Sequence, residues 1–271
     1  MLNSLRDRLG ARPASPFFAR LRADAAPTRR YVIATTARTG STFLCSRIAD
    51  YEKLGFPMEF LNESYISEFD RLFPNPSLQD FERFVGQSFS SADGVFGLKT
   101  DWWRFQMAQQ MHMFDSLLEP LDLIVHLRRE DFVAQAVSLT LAVETDLWHE
   151  RDATGRNLEA SHGKLEFNAR TIKANARNIL NQEYHWRRYF EHAEAPVIEM
   201  TYESVTHDVD SAIQSLADAF HLRLADKPKV STNALGKTKT GVGQAWCDRF
   251  RDECEDFVAF WTEHRGLISA A

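Results

Sequence analysis

The sequence predicts an α/β fold of three layers, in which a central, mainly parallel sheet is flanked by helices. Four short runs are almost continuously apolar: Tyr31–Thr35, Val95–Leu98, Leu123–Leu127 and Val197–Met200. Strands that are buried on both faces have this pattern, because neither face is left for polar side chains. Helical periodicity separates the four runs, and strands that alternate with helices are typical of a parallel sheet between two helix layers.

The helices are predicted from apolar residues that recur every three or four positions. The first helix is expected over Thr42–Tyr51, directly after the first strand. Three further sets of apolar residues have helical spacing: Phe132, Ala136, Leu139 and Val143; Ile172, Ala176, Ile179, Trp186 and Phe190; and Val209, Ile213, Leu216 and Phe220. Segments that are polar or contain several prolines or glycines are predicted to be loops, and the later two are candidate lids: Phe73–Ser77, Asp152–Gly163 and Ser231–Gly243.

The composition is that of a packed globular protein. The chain has 271 residues, of which 44% are hydrophobic and 12% aromatic, and this excludes an intrinsically disordered chain. We expect one domain over residues 31–271, preceded by an arm or a short helix at residues 1–30. The net charge of −6 gives no overall attraction to nucleic acid, although a few well-placed arginines can still bind a small anion.

The cysteines and the hydropathy favour a cytoplasmic location. Cys45, Cys247 and Cys254 are odd in number and widely spaced, which indicates reduced thiols instead of a disulfide framework or a zinc site. The histidines have no metal-ligand spacing, so no metal is expected. No run of about 18 apolar residues occurs, so no integral membrane segment is predicted.

The first predicted strand leads into a loop that has the features of an anion site. The loop is Thr36-Ala37-Arg38-Thr39-Gly40, and Ser41 and Thr42 open the helix. Gly40 permits a positive φ, so backbone N–H groups at the helix start can converge on one ligand. The lysine and the spacing of a Walker loop are missing. The alternative is an ordinary turn in which Ser41 or Thr42 caps the helix.

Arg38-Thr39-Gly40-Ser41-Thr42 resembles the 5'-phosphosulfate-binding loop of sulfotransferases that use 3'-phosphoadenosine-5'-phosphosulfate (PAPS). Four further segments, in the same order along the chain, make it similar to the bacterial trehalose 2-sulfotransferase family: Gly55–Phe60, Phe96–Thr100, Val125–Ser138 and Gly241–Arg251. The resemblance implies a P-loop-like fold and a donor, PAPS, that is held without a metal by these five loop residues. It also implies a carbohydrate or glycolipid acceptor and is compatible with a homodimer.

The resemblance implies that Glu59, Lys99 and Arg38 are catalytic. Glu59 lies in the segment Gly55–Phe60, where the family has its proposed general base, and a carboxylate there can take the proton of an acceptor hydroxyl. Lys99 ends the second predicted strand, where ligands bind in open α/β sheets, and can stabilise the leaving phosphate. The alternatives are a solvated loop carboxylate for Glu59 and a solvent-facing side chain for Lys99.

A second phosphate site is implied after the third predicted strand. Counting back from Gln135-Ala136-Val137-Ser138 aligns Arg129 and Ser138 with the arginine and the serine that bind the 3'-phosphate in this family. Arg128 is an alternative to Arg129 in this role, or both arginines form surface ion pairs. Glu130 stands where the family usually has proline, which leaves the shape of the turn open.

The acceptor side is implied to contain Trp102, Trp148 and Glu144. A tryptophan can stack on a sugar face, and a carboxylate can accept hydrogen bonds from sugar hydroxyls. Trp103 is a further candidate for the same wall. Ordinary core packing and a solvated acidic face are the alternatives. Near the C-terminus, Arg249 is implied as an additional cation over the 3'-phosphate.

The predicted function is therefore in-line transfer of a sulfuryl group from PAPS to an acceptor hydroxyl, with Glu59 as the general base. Two alternatives stay open at this point: a phosphotransferase with a variant P-loop, and an inactive relative that binds a phosphonucleotide or a glycan. The missing Walker lysine argues against the first alternative. The presence of both Glu59 and Lys99 argues against the second.

Overall fold

The computed structural model describes residues 26–73, 75–148, 158–224 and 240–270 of the chain. Within them, four strands form one sheet in the order β2-β1-β3-β4, and all three neighbouring pairs are parallel. The strands are β1 (Arg29–Thr35), β2 (Val95–Asp101), β3 (Leu123–Arg128) and β4 (Val197–Thr201). Each predicted strand is confirmed, and each extends slightly beyond its predicted apolar run.

Within the described residues, at least one helix follows each strand. They are α1 (Ser41–Tyr51), α2 (Glu63–Leu72), α3 (Leu78–Phe89), α4 (Trp102–Gln110), α5 (Asp115–Leu118), α6 (Phe132–Thr145), α7 (Leu158–His162), α8 (Ala169–Phe190), α9 (Tyr202–His207), α10 (Val209–Ala219), α11 (Gly241–Glu253) and α12 (Glu255–Ala270). The four helices predicted from periodicity correspond to α1, α6, α8 and α10, and all four are confirmed.

Two of the three predicted loops were wrong in part. Phe73–Ser77 does connect two helices, α2 and α3. In the predicted loop Asp152–Gly163, however, residues Leu158–His162 form α7. In the predicted flexible segment Ser231–Gly243, α11 already begins at Gly241. The remainder of these two segments, up to residue 157 and up to residue 239, lies outside the described residues, as does most of the predicted N-terminal arm.

The start of α11 is stabilised by two side chains that accept hydrogen bonds from its first amides. The hydroxyl of Thr240 accepts from the N–H of Gly243 at 3.1 Å. The carboxylate of Glu159 accepts from the N–H groups of Gly241 and Val242 at 2.9 and 3.1 Å. Capping of this kind offsets the low helix propensity of the glycines, which explains why a glycine-containing segment is helical here.

The sheet has an apolar core on each face, which confirms the three-layer arrangement. Val32 and Ala34 of β1 face the layer that contains α3 and α4, and both side chains are fully buried. Tyr31 and Ile33, which alternate with them, face the layer of α1 and α10. Because neither face of the sheet is open to water, the strands are apolar along their length. The parallel strands and the β1–loop–α1 unit agree with the expected P-loop-like fold.

A third core cluster joins α6, α8 and α11, with Val137, Ile179 and Phe250 at its centre. The long helix α8 is also tied directly to the sheet. Its fully buried Trp186 donates a hydrogen bond from Nε1 to the carbonyl oxygen of Thr35, the last residue of β1, at 3.1 Å. This bond fixes the end of β1, from which the anion-binding loop begins.

The three cysteines are buried free thiols. Burial raises the pKa of Cys45 to about 12 and that of Cys247 to about 11, so both are neutral at physiological pH. Neither is therefore an activated nucleophile. In the described part of the chain, no helix combines the length and apolar character that a membrane crossing needs. The expected cytoplasmic location, homodimer and single domain over residues 31–271 stay predictions.

Candidate active site

The loop after β1 turns sharply because two of its residues have left-handed backbone conformations. The φ angles are 67° at Arg38 and 75° at Gly40. Gly40 is the N-cap of α1 and no side chain caps this helix start, which corrects the alternative that Ser41 or Thr42 is the cap. A Cβ atom at Gly40 would lie 2.6 Å from Cδ2 of Tyr202, so only glycine fits here.

Buried hydrogen bonds hold the loop in this shape. The hydroxyl of Thr39, which is fully buried, bonds to the hydroxyl of Thr35 and to the carbonyl oxygen of Thr36. From α6, Nε2 of Gln135 donates to Oγ1 of Thr36 and to the carbonyl oxygen of Ala37, both at 2.7 Å. The side chain of Thr39 thus supports the loop from inside. Gln135 is a structural contributor whose role the sequence did not indicate.

Lys99 and Glu59 meet because a short segment pairs with β2. Met58 forms an isolated parallel bridge with Leu98, and the N–H of Lys99 donates to the carbonyl oxygen of Met58 at 3.0 Å. The ammonium of Lys99 then lies 2.9 Å from Oε1 of Glu59 and 2.6 Å from Oγ1 of Thr42. One buried cation therefore connects the candidate base to the start of α1.

The carboxylate of Glu59 is ionised and accessible from the cleft. Burial by itself raises its pKa, but the charge of Lys99, aided by hydrogen bonds from Lys99 and Asn62, holds the pKa below the ordinary value. Nδ2 of Asn62 lies 3.5 Å from Oε2 of Glu59. The side chain of Lys99 is only 7% exposed, whereas that of Glu59 is 42% exposed. A ligand in the cleft can therefore contact Glu59 directly, whereas most of the Lys99 side chain is covered by its neighbours.

Arg38 extends away from the start of α1 toward α6. Its Nε donates to Oγ of Ser138 at 3.0 Å, and its Nη1 donates to the carbonyl oxygen of Trp148. Burial lowers the pKa of Arg38, and the positive charge of Arg129 lowers it further. Nη1 of Arg129 also lies 3.5 Å from the carbonyl oxygen of Arg38. The two positively charged guanidinium groups repel each other, and an anion bound beside them is stabilised by both charges.

Arg129, and not Arg128, faces the cleft. Its guanidinium lies over the ring of Tyr202, 4.8 Å from the centroid, and its Nε is buried without a hydrogen-bond partner among the described residues. Nε of Arg128 is also buried without a hydrogen-bond partner among the described residues, but it forms an ion pair with Oε2 of Glu199 at 3.7 Å, and Arg128 is not among the residues that line the cleft. Tyr202 was missed from the sequence. It directly follows β4, so the rule that predicted Lys99, a polar residue at the end of a parallel strand, would have found it.

These groups line one open cleft of about 1160 Å³. Its walls bring together most of the predicted site residues: Arg38, Gly40, Ser41, Thr42, Glu59, Lys99, Arg129, Ser138 and Trp148. Among the described residues, no group of three or more histidine, cysteine, aspartate or glutamate side chains could hold a metal ion. The charged residues of the cleft wall are three arginines and one lysine, together with four carboxylates: Arg38, Arg104, Arg129, Lys99, Glu59, Glu63, Asp101 and Asp131.

Trp102, which was predicted to line the acceptor side, does not line the cleft. Trp102 is 8% exposed and packs in the core, with its ring stacked on His185 at 5.4 Å and edge-on to Trp186. Trp103 lines the cleft instead, is 40% exposed, and donates from Nε1 to Oδ1 of Asn178 at 3.1 Å. The side chains of successive helical residues point about 100° apart, and here this rotation turns Trp102 toward the core and Trp103 toward the cleft.

The structure does not bring Glu144 or Arg249 to the cleft. Glu144 is exposed on α6 and is not among the residues that line the cavity. Nε of Arg249 pairs with Oε1 of Glu253 at 2.6 Å, and its guanidinium lies over the ring of Phe167, 4.2 Å from the centroid. Arg249 therefore contributes to the outer surface of α11, where cations usually face solvent.

Replacing Glu59 with glutamine should lower the free energy of unfolding near pH 7 by roughly 1 kcal/mol, because the buried Lys99 ammonium loses its charged partner. The folded-state pKa of Glu59 is depressed, so the carboxylate stabilises the fold above the pKa of the unfolded chain. That contribution disappears as the pH falls through the depressed pKa. Urea unfolding should therefore show the two proteins converging in acid. Glu144→Gln is the control, and an equal loss of stability in both variants would contradict this interpretation.

The chain is similar over most of its length to two curated enzymes. It is 25% identical to the trehalose 2-sulfotransferase of Mycobacterium tuberculosis strain Erdman, over 83% of this chain and 95% of that enzyme. It is 22% identical to the trehalose 2-sulfotransferase of Mycolicibacterium smegmatis, over 83% and 95%. The solved sulfotransferase domain of the Synechococcus PCC 7002 olefin synthase is 12% identical, covers 84% of this chain and 89% of that domain, and superposes with a TM-score of 0.39. That superposition is too distant to bear on the site.

A family model provides the assignment. The model for Stf0 sulphotransferases matches residues 30–253. This region includes the sheet except for Arg29, the first residue of β1, together with the loop after β1 and every residue described above as lining the cleft. With a match over most of the chain, this protein belongs to the Stf0 sulphotransferase family.

Proposed function

We propose that this protein transfers the sulfuryl group of PAPS to a hydroxyl of a carbohydrate or glycolipid, with Glu59 as the general base. The observation that carries the proposal is the contact of Lys99 with both Glu59 and Thr42, at the open start of α1. A proton acceptor and an anion-stabilising cation thus lie within one hydrogen bond of each other. The trehalose 2-sulfotransferases to which the chain is similar support a carbohydrate acceptor.

The start of α1 is suited to the phosphosulfate group of the donor. Gly40 leaves the helix start without a side-chain cap, so the first amides and the positive end of the helix dipole are available to an anion. Ser41 and Thr42 add hydroxyl groups on the wall of the cleft, and Lys99 adds a positive charge. This combination of donors needs no metal to neutralise a sulfate or phosphate group.

A second group of donors suits the 3'-phosphate. Arg129 faces the cleft with a buried Nε that has no partner among the described residues. Arg38 and Ser138 lie beside it and are joined at 3.0 Å. Arg38 is part of the loop that is proposed to bind the phosphosulfate. Its side chain nevertheless lies with the donors that are proposed to bind the 3'-phosphate. Two separate anion sites in one cleft are what a donor with two anionic ends requires.

The reaction requires one proton transfer and one exchange of bonds at sulfur. Glu59 accepts the proton of the acceptor hydroxyl while that oxygen bonds to sulfur and the bond from sulfur to the phosphate oxygen breaks. Protonation removes the negative charge of Glu59 and so weakens its hold on Lys99. The Lys99 ammonium then stabilises the charge that develops on the leaving phosphate oxygen, together with the start of α1.

The Glu59→Gln variant tests the proposed base. Purified wild-type protein, incubated with PAPS and a panel of sugars and glycolipids, should yield a sulfated product that is detected by mass spectrometry. Removing a general base lowers kcat by about 10²–10⁴-fold, while the affinity for adenosine 3',5'-bisphosphate should stay within a factor of about two. Glu144→Gln should keep full activity. Retention of wild-type kcat by Glu59→Gln would refute the base assignment.

The two adjacent arginines allow a matched test of the donor site. Arg129→Ala should weaken binding of adenosine 3',5'-bisphosphate by about 10–100-fold, because a charge-assisted contact to the 3'-phosphate is lost. Binding of adenosine 5'-phosphate, which lacks that group, should change little. Arg128→Ala, whose side chain pairs with Glu199, should affect neither ligand. Calorimetric titration measures all four constants, and equal losses for both ligands in Arg129→Ala would exclude the assignment.

The acceptor wall can be tested through the two adjacent tryptophans. Trp103→Ala should raise the KM for the acceptor by roughly tenfold and leave the KM for PAPS unchanged, because stacking on a sugar ring is lost. Trp102→Ala should instead destabilise the fold by about 3–5 kcal/mol, since it leaves a cavity in the core. Steady-state kinetics and urea unfolding of both variants distinguish the two roles. An unchanged acceptor KM in Trp103→Ala would remove this residue from the acceptor site.

A further inference from the structure

Arg265 lies on α12, beyond residue 253 where the match to the family model ends. Its side chain nevertheless reaches back to the connection between β3 and α6. Nη2 donates to the carbonyl oxygen of Arg129 at 2.6 Å, and Nη1 donates to that of Glu130 at 2.7 Å. The last helix thus binds the backbone of the residue whose side chain faces the 3'-phosphate part of the cleft.

A buried carboxylate on α8 holds the same guanidinium from the other side. Nε and Nη2 of Arg265 donate to the two carboxylate oxygens of Glu183, at 3.0 and 2.7 Å. The two side chains are only 12% and 7% exposed. This bidentate arrangement fixes the plane of the guanidinium and also neutralises its charge. Arg265 therefore contributes geometry to the neighbouring site and little net charge.

Several contacts besides those of Arg265 restrain this connection: the N–H of Phe132 donates to the carbonyl oxygen of Glu130 at 3.0 Å, and Oδ1 of Asp131 accepts from the N–H of Ala134 at 2.9 Å. Residue 130 is glutamate, so no proline ring fixes the backbone at this point. The N–H of Glu130 donates to Oε2 of Glu203 at 3.0 Å, which holds the turn from the amide side. Arg265 holds it from the carbonyl side, with its guanidinium 5.8 Å from the ring centroid of Phe132. The direction in which the Arg129 side chain leaves the backbone depends on both restraints.

We propose that Arg265, oriented by Glu183, is a positioning residue for the 3'-phosphate site, which it completes from outside the family-matched region. This inference rests on the proposed donor, PAPS. Buried ion pairs contribute little net stability compared with apolar residues of similar size, so stability alone does not account for the pair. The pair is accounted for if it places the Arg129 guanidinium, because a displacement of about 1 Å is enough to weaken a charge-assisted contact severely.

The test compares the same two nucleotides in two variants. Arg265→Met should weaken binding of adenosine 3',5'-bisphosphate by roughly tenfold and that of adenosine 5'-phosphate by less than about twofold, because only the 3'-phosphate contact is displaced. Arg265→Met leaves the carboxylate of Glu183 buried and can prevent folding. The double variant Arg265→Met, Glu183→Met removes both charges, and it should fold and have the same altered selectivity.

Arg251→Met is the matched control. Nη2 of Arg251 pairs with both carboxylate oxygens of Asp131, at 2.9 and 2.8 Å, in the same connection, but it is more exposed and touches no backbone carbonyl there. Its two affinities should equal those of the wild type. Equal losses for both nucleotides in the double variant, or no loss, would overturn this inference alone. Failure of the wild type to bind adenosine 3',5'-bisphosphate would overturn the proposed donor and this inference with it.

Discussion

Burial of the Lys99 ammonium at the end of β2 is the constraint on which the site depends. A cation with 7% exposure is tolerated only if negative or polar groups surround it, and Glu59 and Thr42 supply them. Glu59 follows Met58, which pairs with β2. Thr42 lies in the first turn of α1, the helix after β1. Because β1 and β2 are neighbours in the sheet, both groups reach Lys99 without distortion.

The parallel sheet explains why residues distant in the sequence share one cleft. The carboxyl ends of all four strands lie at the same edge; Lys99 lies two residues before the end of β2, and Gly40, Arg129 and Tyr202 lie in the segments that follow the other strands there. Apolar runs with helical periodicity between them were therefore enough to predict the sheet, and the strand ends indicated the position of Lys99. The candidate roles of Glu59, Arg129 and Ser138 came from the resemblance to a known family.

The parts that the sequence did not predict depend on which face of a helix meets its neighbours. Trp102 and Trp103 are adjacent, and only the packing of α4 on α8 decides that Trp102 is buried and Trp103 is not. Arg249 faces Phe167 and Glu253 for the same kind of reason. The direction of the Arg38 side chain follows from its left-handed backbone conformation. The sequence gives no sign of this conformation, because it is uncommon for residues other than glycine.

Gly40 is restricted twice, once by its positive φ and once by the ring of Tyr202 against its α-carbon. A side chain at this position would require both a strained backbone and a smaller residue at position 202. Loss of the Tyr202 ring would expose the face of the Arg129 guanidinium that now lies over it. Replacing Tyr202 with a smaller residue would therefore still not admit an unstrained side chain at position 40, because the positive φ would remain.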